Sequence, residues 1–117
     1  MKRQKYRVVI EHKASFPYTM VAEEGDCVSI GKEDPEMPGW YWCKDKKGIE
    51  MWVPSTYLKI EGAKGTFTQD YNSRELDIAV GDVIQYLSET LGWVECLNSE
   101  WKYCWIPVTK ISPEIFK

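Results

Sequence analysis

Apolar residues in this chain fall in short runs that are bounded by glycine, proline, asparagine and aspartate. Short runs rich in β-branched and aromatic residues are typical of β-strands. They occur at residues 7–11, 27–30, 40–43, 51–53, 83–87, 93–97 and 103–106. No window of twelve or more residues carries the i, i+3, i+4, i+7 apolar stripe of a major helix. The pattern therefore predicts an all-β protein.

The strand pattern occurs twice along the sequence. A Gly-Asp pair, a Gly-Trp pair and a Trp-x-Pro element follow one another at 25–26, 39–40 and 52–54, and again at 81–82, 92–93 and 105–107. The tryptophan of the Gly-Trp pair and the proline lie fourteen residues apart in both copies. Self-similarity at this spacing predicts two small domains in series, 1–60 and 65–117, joined by a linker at 61–64.

A proline opens the last segment of each copy, at 54–57 and 107–110. Proline suits the first position of a helical turn because its φ angle is already fixed near the helical value. Each segment is therefore predicted to form a single 3₁₀ turn.

These motifs resemble the SH3 domain family. Residues 75–82 are similar to the family's E-L-S-F-x-x-G-D element, Trp40-Tyr41 and Trp93-Val94 stand at its double-tryptophan element, and residues 54–58 are close to P-S-N-Y-V. The resemblance covers roughly 6–60 and 65–113. It implies an all-β fold of two tandem SH3-like five-stranded β-barrels, with the turns at Asp26 and Asp82 equivalent.

The chain departs from the family at the ALYDY element. By position this element falls on residues 8–12 in the first copy, where both tyrosines are lost. In the second copy it falls on residues 67–71, which keep the final Asp-Tyr. The family's last pocket tyrosine is present as Tyr57 but is replaced by Lys110 in the second copy. These departures make the chain more similar to divergent prokaryotic SH3-like proteins than to eukaryotic signalling adaptors.

The resemblance implies a groove of aromatic side chains that binds an extended, proline-containing peptide. Such peptides lose little ordering entropy on docking. The first copy would contribute Trp40, Pro54 and Tyr57, with Tyr18 or Phe16 in place of the lost tyrosines and Glu33 and Asp34 among the acids that receive an Arg or Lys of the ligand. The second copy would contribute Trp93, Pro107 and Tyr71. Because it keeps the terminal tyrosine, the first copy is predicted to carry the greater share of binding. The alternative is that these aromatic side chains only cover two small cores.

Charge and motifs exclude several classes of function. The net charge is −3 and no basic stripe is present, which argues against a nucleic-acid partner. No apolar segment follows the basic residues near the amino end, so neither a signal peptide nor a membrane span is expected, and the predicted location is the cytoplasm. No glycine-rich phosphate loop or hydrolase motif occurs. No enzymatic activity and no cofactor are expected.

The cysteines and the single histidine fit a structural role. Cys43 and Cys96 follow the two Gly-Trp tryptophans by three residues, and both are predicted to be buried, reduced thiols. No Cys-x-x-Cys pair occurs, so a zinc site is not expected, nor is a disulfide framework. His12 is interpreted as a strand or loop residue and not as a general base.

Three hypotheses for function remain. The first is a non-catalytic module that binds a protein or peptide ligand through an aromatic groove. The alternative is a structural or assembly module that forms a homodimer or docks on a partner protein. The third is a reader of nucleic acid or cell-wall glycan, which the acidic charge and the missing signal peptide disfavour. Exposure of Trp40 and Tyr57 in the free protein would separate the first two.

Overall fold

The computed structural model describes residues 4–114, and this part of the chain is all-β. Its twelve strands form three sheets, of which two have five strands and one has two. None of the three sheets closes into a barrel by the strand pairing of the described residues, so the all-β prediction is confirmed and the two barrels are not.

The first five-stranded sheet contains the amino-terminal strand. Its strands are β1 (Lys5–Val8), β9 (Val83–Thr90), β10 (Trp93–Leu97), β11 (Tyr103–Pro107) and β12 (Ile111–Pro113). They are ordered β11-β10-β9-β1-β12, with every neighbouring pair antiparallel. The apolar side chains buried among them form one core: Val8, Ile78, Ile84, Val94, Cys96, Cys104, Ile106 and Ile111.

The second five-stranded sheet lies in the middle of the sequence. Its strands are β3 (Cys27–Glu33), β4 (Trp40–Lys44), β5 (Glu50–Pro54), β6 (Leu58–Glu61) and β7 (Lys64–Phe67), ordered β5-β4-β3-β7-β6. The two-stranded sheet pairs β2 (Val21–Ala22) with β8 (Tyr71–Asn72). Buried apolar residues of this part of the chain include Met20, Val28, Met51, Val53 and Phe67.

The two five-stranded sheets have matching strand orders. Strands β3, β4, β5 and β6 correspond to β9, β10, β11 and β12, and β7 stands where β1 stands. The predicted 3₁₀ turns are confirmed at Ser55–Tyr57, between β5 and β6, and at Val108–Lys110, between β11 and β12.

The turns at the two Gly-Asp pairs are equivalent, as predicted. Gly25 and Gly81 have φ angles of 95° and 94°, a region that glycine enters without steric cost. Their amides donate to the carbonyls of Phe67 and Val8, both at 2.8 Å. Because Phe67 ends β7 and Val8 ends β1, these bonds confirm that β7 and β1 hold the same place in their sheets.

The chain forms two compact units that differ from the predicted segments 1–60 and 65–117. The first unit is Tyr18–Ser73, and the second unit joins the residues up to Pro17 with those from Arg74 onward. The amino-terminal strand β1 thus pairs with β9 and β12 of the second copy, and β7 pairs with β3 and β6 of the first.

The predicted linker at 61–64 is a hairpin turn. Glu61 pairs with Lys64, so only Gly62 and Ala63 separate β6 from β7. Gly62 has a φ angle of 63°, which the favoured two-residue hairpin turns require. A turn this tight places β7 directly beside β6, and this is why the segment following it belongs to the first copy's sheet.

Candidate functional site

The groove residues predicted for the first copy lie together at one end of strands β4 and β5. Trp40 and Pro54 are directly opposite each other in the strand pairing, and Tyr57 follows in the 3₁₀ turn. All three are buried, and Trp40 and Tyr57 are each only 6% exposed. The structure therefore offers little aromatic surface at this end of the unit.

Tyr71 was assigned to the second copy, but it lies in the unit 18–73. Its ring meets that of Tyr57 edge-to-face, with the ring centroids 5.4 Å apart. Its hydroxyl donates a hydrogen bond of 2.8 Å to the carbonyl of Trp52. Tyr71 belongs to this unit because the hairpin at Gly62 brings β7 and then β8 into it. One unit thus contains Trp40, Pro54, Tyr57 and Tyr71. The groove predicted for the second copy keeps Trp93 and Pro107 but not Tyr71.

Four predicted residues of the first copy remain to be placed: Glu33, Asp34, Tyr18 and Phe16. The carboxylates of Glu33 and Asp34 accept backbone amides of their own loop: Glu33 from Gly39 at 2.8 Å, and Asp34 from Glu36 at 2.9 Å. Tyr18 is 43% exposed and donates its hydroxyl to the Glu50 carbonyl at 2.9 Å. Phe16 is half-buried and belongs to the other unit.

The groove residues predicted for the second copy are more accessible. Trp93 and Pro107 are directly opposite each other on β10 and β11, in the place that Trp40 and Pro54 hold in the other unit. Both are half-buried, as is Lys110 at the end of the following 3₁₀ turn. This end of the second unit therefore presents an indole, a proline ring and a cation to solvent.

A polar network backs this surface. His12 is 3% exposed, and its Nε2 lies 2.8 Å from Glu75 Oε1 while its Nδ1 lies 3.0 Å from Lys110 Nζ. Its ring meets that of Trp93 edge-to-face at a centroid distance of 5.6 Å. Glu75 Oε1 also accepts the Ser15 hydroxyl at 2.9 Å.

The network fixes the tautomer of His12. A lysine ammonium has only donors, so Nδ1 must accept from it, and Nε2 then carries the proton that it donates to Glu75. His12, interpreted from the sequence as a strand or loop residue, lies in an isolated bridge to Ile78, is buried, and has both ring nitrogens hydrogen-bonded. No sequence motif indicates the partners of His12, because Glu75 and Lys110 lie 63 and 98 residues away from it.

The cysteines lie where buried apolar residues would. Cys43, Cys96 and Cys104 are at most 1% exposed, and Cys27 is half-buried. Burial raises the pKa of the Cys43 thiol to about 12. Cys96 and Cys104 are directly opposite in the strand pairing, with their Sγ atoms 3.8 Å apart. The hydrogen bond to Cys104 and burial raise the pKa of the Cys96 thiol. All four cysteines are free, and Cys43 and Cys96 are buried as predicted.

One further concavity lies in the unit 18–73. It is a cleft of about 290 Å³ whose lining includes Val21, Cys27, Asp45 and Phe67. Within residues 4–114, no group of three or more His, Cys, Asp or Glu side chains is placed to hold a metal ion. The described part of the chain also contains no helix that is both long and apolar enough to cross a bilayer.

No protein-family model matches this sequence, and no curated protein sequence matches it either. The geometry of the two units is therefore the basis for any statement about function.

Proposed function

We propose that this protein is a non-catalytic protein-interaction module built from two divergent SH3-like units. Each unit would be a small SH3-like barrel made from its five-stranded sheet and the short antiparallel contact that precedes the Gly-Asp turn. That contact is the β2–β8 pair in one unit and the bridge between His12 and Ile78 in the other. The matching strand orders, Gly-Asp turns and 3₁₀ turns support this assignment.

In this proposal the two units exchange their first strands. The segments that carry the ALYDY positions, 8–12 and 67–71, each belong to the unit opposite to the one that sequence order suggests. Thr68 and Val9 support the exchange, because their amides donate at 2.8 Å to Tyr57 and Lys110, the matched last residues of the two 3₁₀ turns. The barrels would then be interleaved along the chain instead of strictly tandem.

We place the ligand surface on the second unit, at Trp93, Pro107 and Lys110. We choose these three residues because they are half-buried and so partly accessible to a ligand, whereas Trp40, Pro54 and Tyr57 are buried. A ligand can use an aromatic wall only if part of that wall faces solvent. From the sequence, the greater share of binding is predicted for the first copy because it keeps Tyr57. The difference in exposure favours the second unit instead.

A structural or assembly role is the second candidate. The burial of Trp40 and Tyr57 favours it, since the first unit's aromatic residues then act as core and leave one open surface at most. In that role the surface at Trp93 would meet a partner protein or a second copy without any preference for proline.

Fluorescence anisotropy with labelled proline-rich peptides tests the proposal. The variant Trp93→Ala should weaken binding by roughly thirtyfold, because truncating an aromatic anchor commonly costs on the order of 2 kcal/mol. Trp101→Ala is the matched control, since Trp101 is the most exposed tryptophan of the described residues and lies in the same unit. Equal losses from the two variants would refute the site. Concentration-dependent self-association without peptide binding would favour the assembly role.

A further inference from the structure

The ligand surface of the second unit carries a cation at the position where the first unit carries an aromatic ring. Lys110 matches Tyr57, since each ends a 3₁₀ turn and each accepts the equivalent backbone bond through its carbonyl. His12 matches Tyr71, which follows β7 by the same number of residues as His12 follows β1. The edge-to-face pair of tyrosines in one unit is thus replaced by a lysine and a histidine in the other.

Within residues 4–114, the Lys110 ammonium has no anionic partner. Its only side-chain contact among the described residues is His12 Nδ1 at 3.0 Å, and no carboxylate of residues 4–114 forms a salt bridge with it. One of its three donors is therefore used by the imidazole. Two donors remain on a half-buried side chain, and the imidazole that holds it also meets the Trp93 ring edge-to-face at a centroid distance of 5.6 Å.

The network behind Lys110 holds the ammonium in place. His12 is buried, and its orientation is fixed by Glu75, which also accepts the backbone amide and hydroxyl of Ser15 at 3.3 Å and 2.9 Å. Because His12 keeps an acceptor toward Lys110, the lysine tip is tied to a rigid partner. A side chain that is already ordered loses less conformational entropy when it binds a ligand.

From this geometry we infer that the Trp93, Pro107 and Lys110 surface binds an extended, proline-containing segment that carries an aspartate or glutamate side chain, with the carboxylate on Lys110 Nζ. The inference rests on the proposed function and specifies its ligand class. A carboxylate offers acceptors to the two remaining donors and supplies the missing negative charge. An Arg or Lys of the ligand would meet a like charge at the same place, which disfavours it.

The overall charge of −3 does not cancel this preference. Exposed charges farther away than about 8 Å are largely screened at physiological ionic strength. The contact with Lys110 is short and half-buried, so it is screened less. Specificity should therefore follow the local cation and not the sign of the whole molecule.

The test uses the full chain and three fluorescein-labelled peptides built from repeated Pro-Pro-Glu, Pro-Pro-Gln or Pro-Pro-Arg triplets. Anisotropy titrations should show the Glu peptide binding about tenfold more tightly than the Gln peptide, as expected for a hydrogen bond to a charged group. The Arg peptide should bind more weakly than both. Lys110→Gln should abolish the difference in affinity between the Glu peptide and the Gln peptide.

Lys102→Gln is the matched control. Lys102 lies in the same unit, on the exposed turn between β10 and β11, so its removal changes the net charge equally without touching the surface. Lys110→Tyr provides a second variant with the residue that the first unit uses, in case Lys110→Gln unfolds; it too should lose the preference for Glu.

The outcomes separate the two proposals. Binding of all three peptides with equal affinity, or an equal effect of Lys110→Gln and Lys102→Gln, overturns the carboxylate site and leaves the peptide-binding function standing. Absence of binding by every peptide overturns the proposed function, and the carboxylate site with it. Loss of Glu-peptide preference in both Lys110 variants but not in Lys102→Gln supports the inference.

Discussion

Two hairpin turns with the same hydrogen bonds carry very different residues at their left-handed position. In the turn after β4, the Asp45 carboxylate caps the amide of Ile49, and Gly48 has a φ angle of 85°. In the turn after β10, the Asn98 side chain caps the amide of Lys102, and Trp101 has a φ angle of 64°. A bulky residue in this region is strained, since its Cβ approaches the following carbonyl.

Replacing this tryptophan should stabilise the protein. Trp101 is 65% exposed, so Trp101→Gly gives up little burial while it removes backbone strain. We expect the free energy of unfolding to rise by up to about 1 kcal/mol, measured by urea denaturation. Gly48→Ala is the converse control and should destabilise the protein, because a residue with a Cβ is strained at this positive φ angle. The added Cβ would meet no atom within 4 Å, so backbone strain is the effect that this variant measures. A loss of stability in Trp101→Gly would mean that the indole makes packing contacts worth more than the strain.

At the scale of elements, strand pairing determines the environment of the thiols. Cys96 and Cys104 face each other across β10 and β11, and Cys43 pairs with Met51 across β4 and β5. These positions point into the cores, where a thiol acts as a small apolar group. Cys27, at the start of β3, is half-buried, and its Sγ lies 3.9 Å from Thr66 Oγ1.

Native-state labelling should separate one cysteine from the other three. The reactive species is the thiolate, and burial that raises the pKa of Cys43 to about 12 leaves almost none at neutral pH. We expect one rapidly modified thiol, Cys27, and three slow ones, counted by mass spectrometry after treatment with a thiol reagent. Full labelling in denaturant is the control. Rapid modification of all four in the native state would contradict the strand pairing at Cys43 and Cys96.

At the scale of the whole molecule, the chain passes between its units at 17–18 and again at 73–74. The unit 18–73 is continuous in sequence and includes β2 to β8. The other unit is discontinuous, because β1 lies between β9 and β12 in its sheet. Removing β1 would leave two strands of that sheet without their shared neighbour and would expose the core around Val8, which is fully buried.

The connectivity predicts which fragments fold. The segment 18–73 should be folded when produced alone, whereas 1–60 lacks β7 and 65–117 lacks β1, so neither should give a cooperative unfolding transition. Dispersed amide signals in proton NMR spectra and thermal melting followed by circular dichroism are the measurements. If the segments 1–60 and 65–117 folded independently and 18–73 did not, the division into units would be wrong.

Local pattern determined a large part of this structure. The strands, the Gly-Asp turns and the 3₁₀ turns after Pro54 and Pro107 follow from residues close together in sequence, because each depends on the φ preferences and side-chain alternation of a few positions. The burial of Cys43 and Cys96 followed from their place on aromatic-rich strands. Local sequence patterns therefore specify the all-β class, most of the elements and part of the core.

Tertiary structure alone decided which sheet each first strand joins and what stands behind Lys110. A strand such as Lys5–Val8 has a pattern that either sheet could accept, and its partners β9 and β12 lie far from it in the sequence. The two-residue turn at Gly62 makes the same choice for β7 through chain geometry. The network of His12, Glu75 and Lys110 follows from the pairing of the amino-terminal segment with β9, β12 and Ile78, because pairing distant segments creates neighbours that no local spacing encodes.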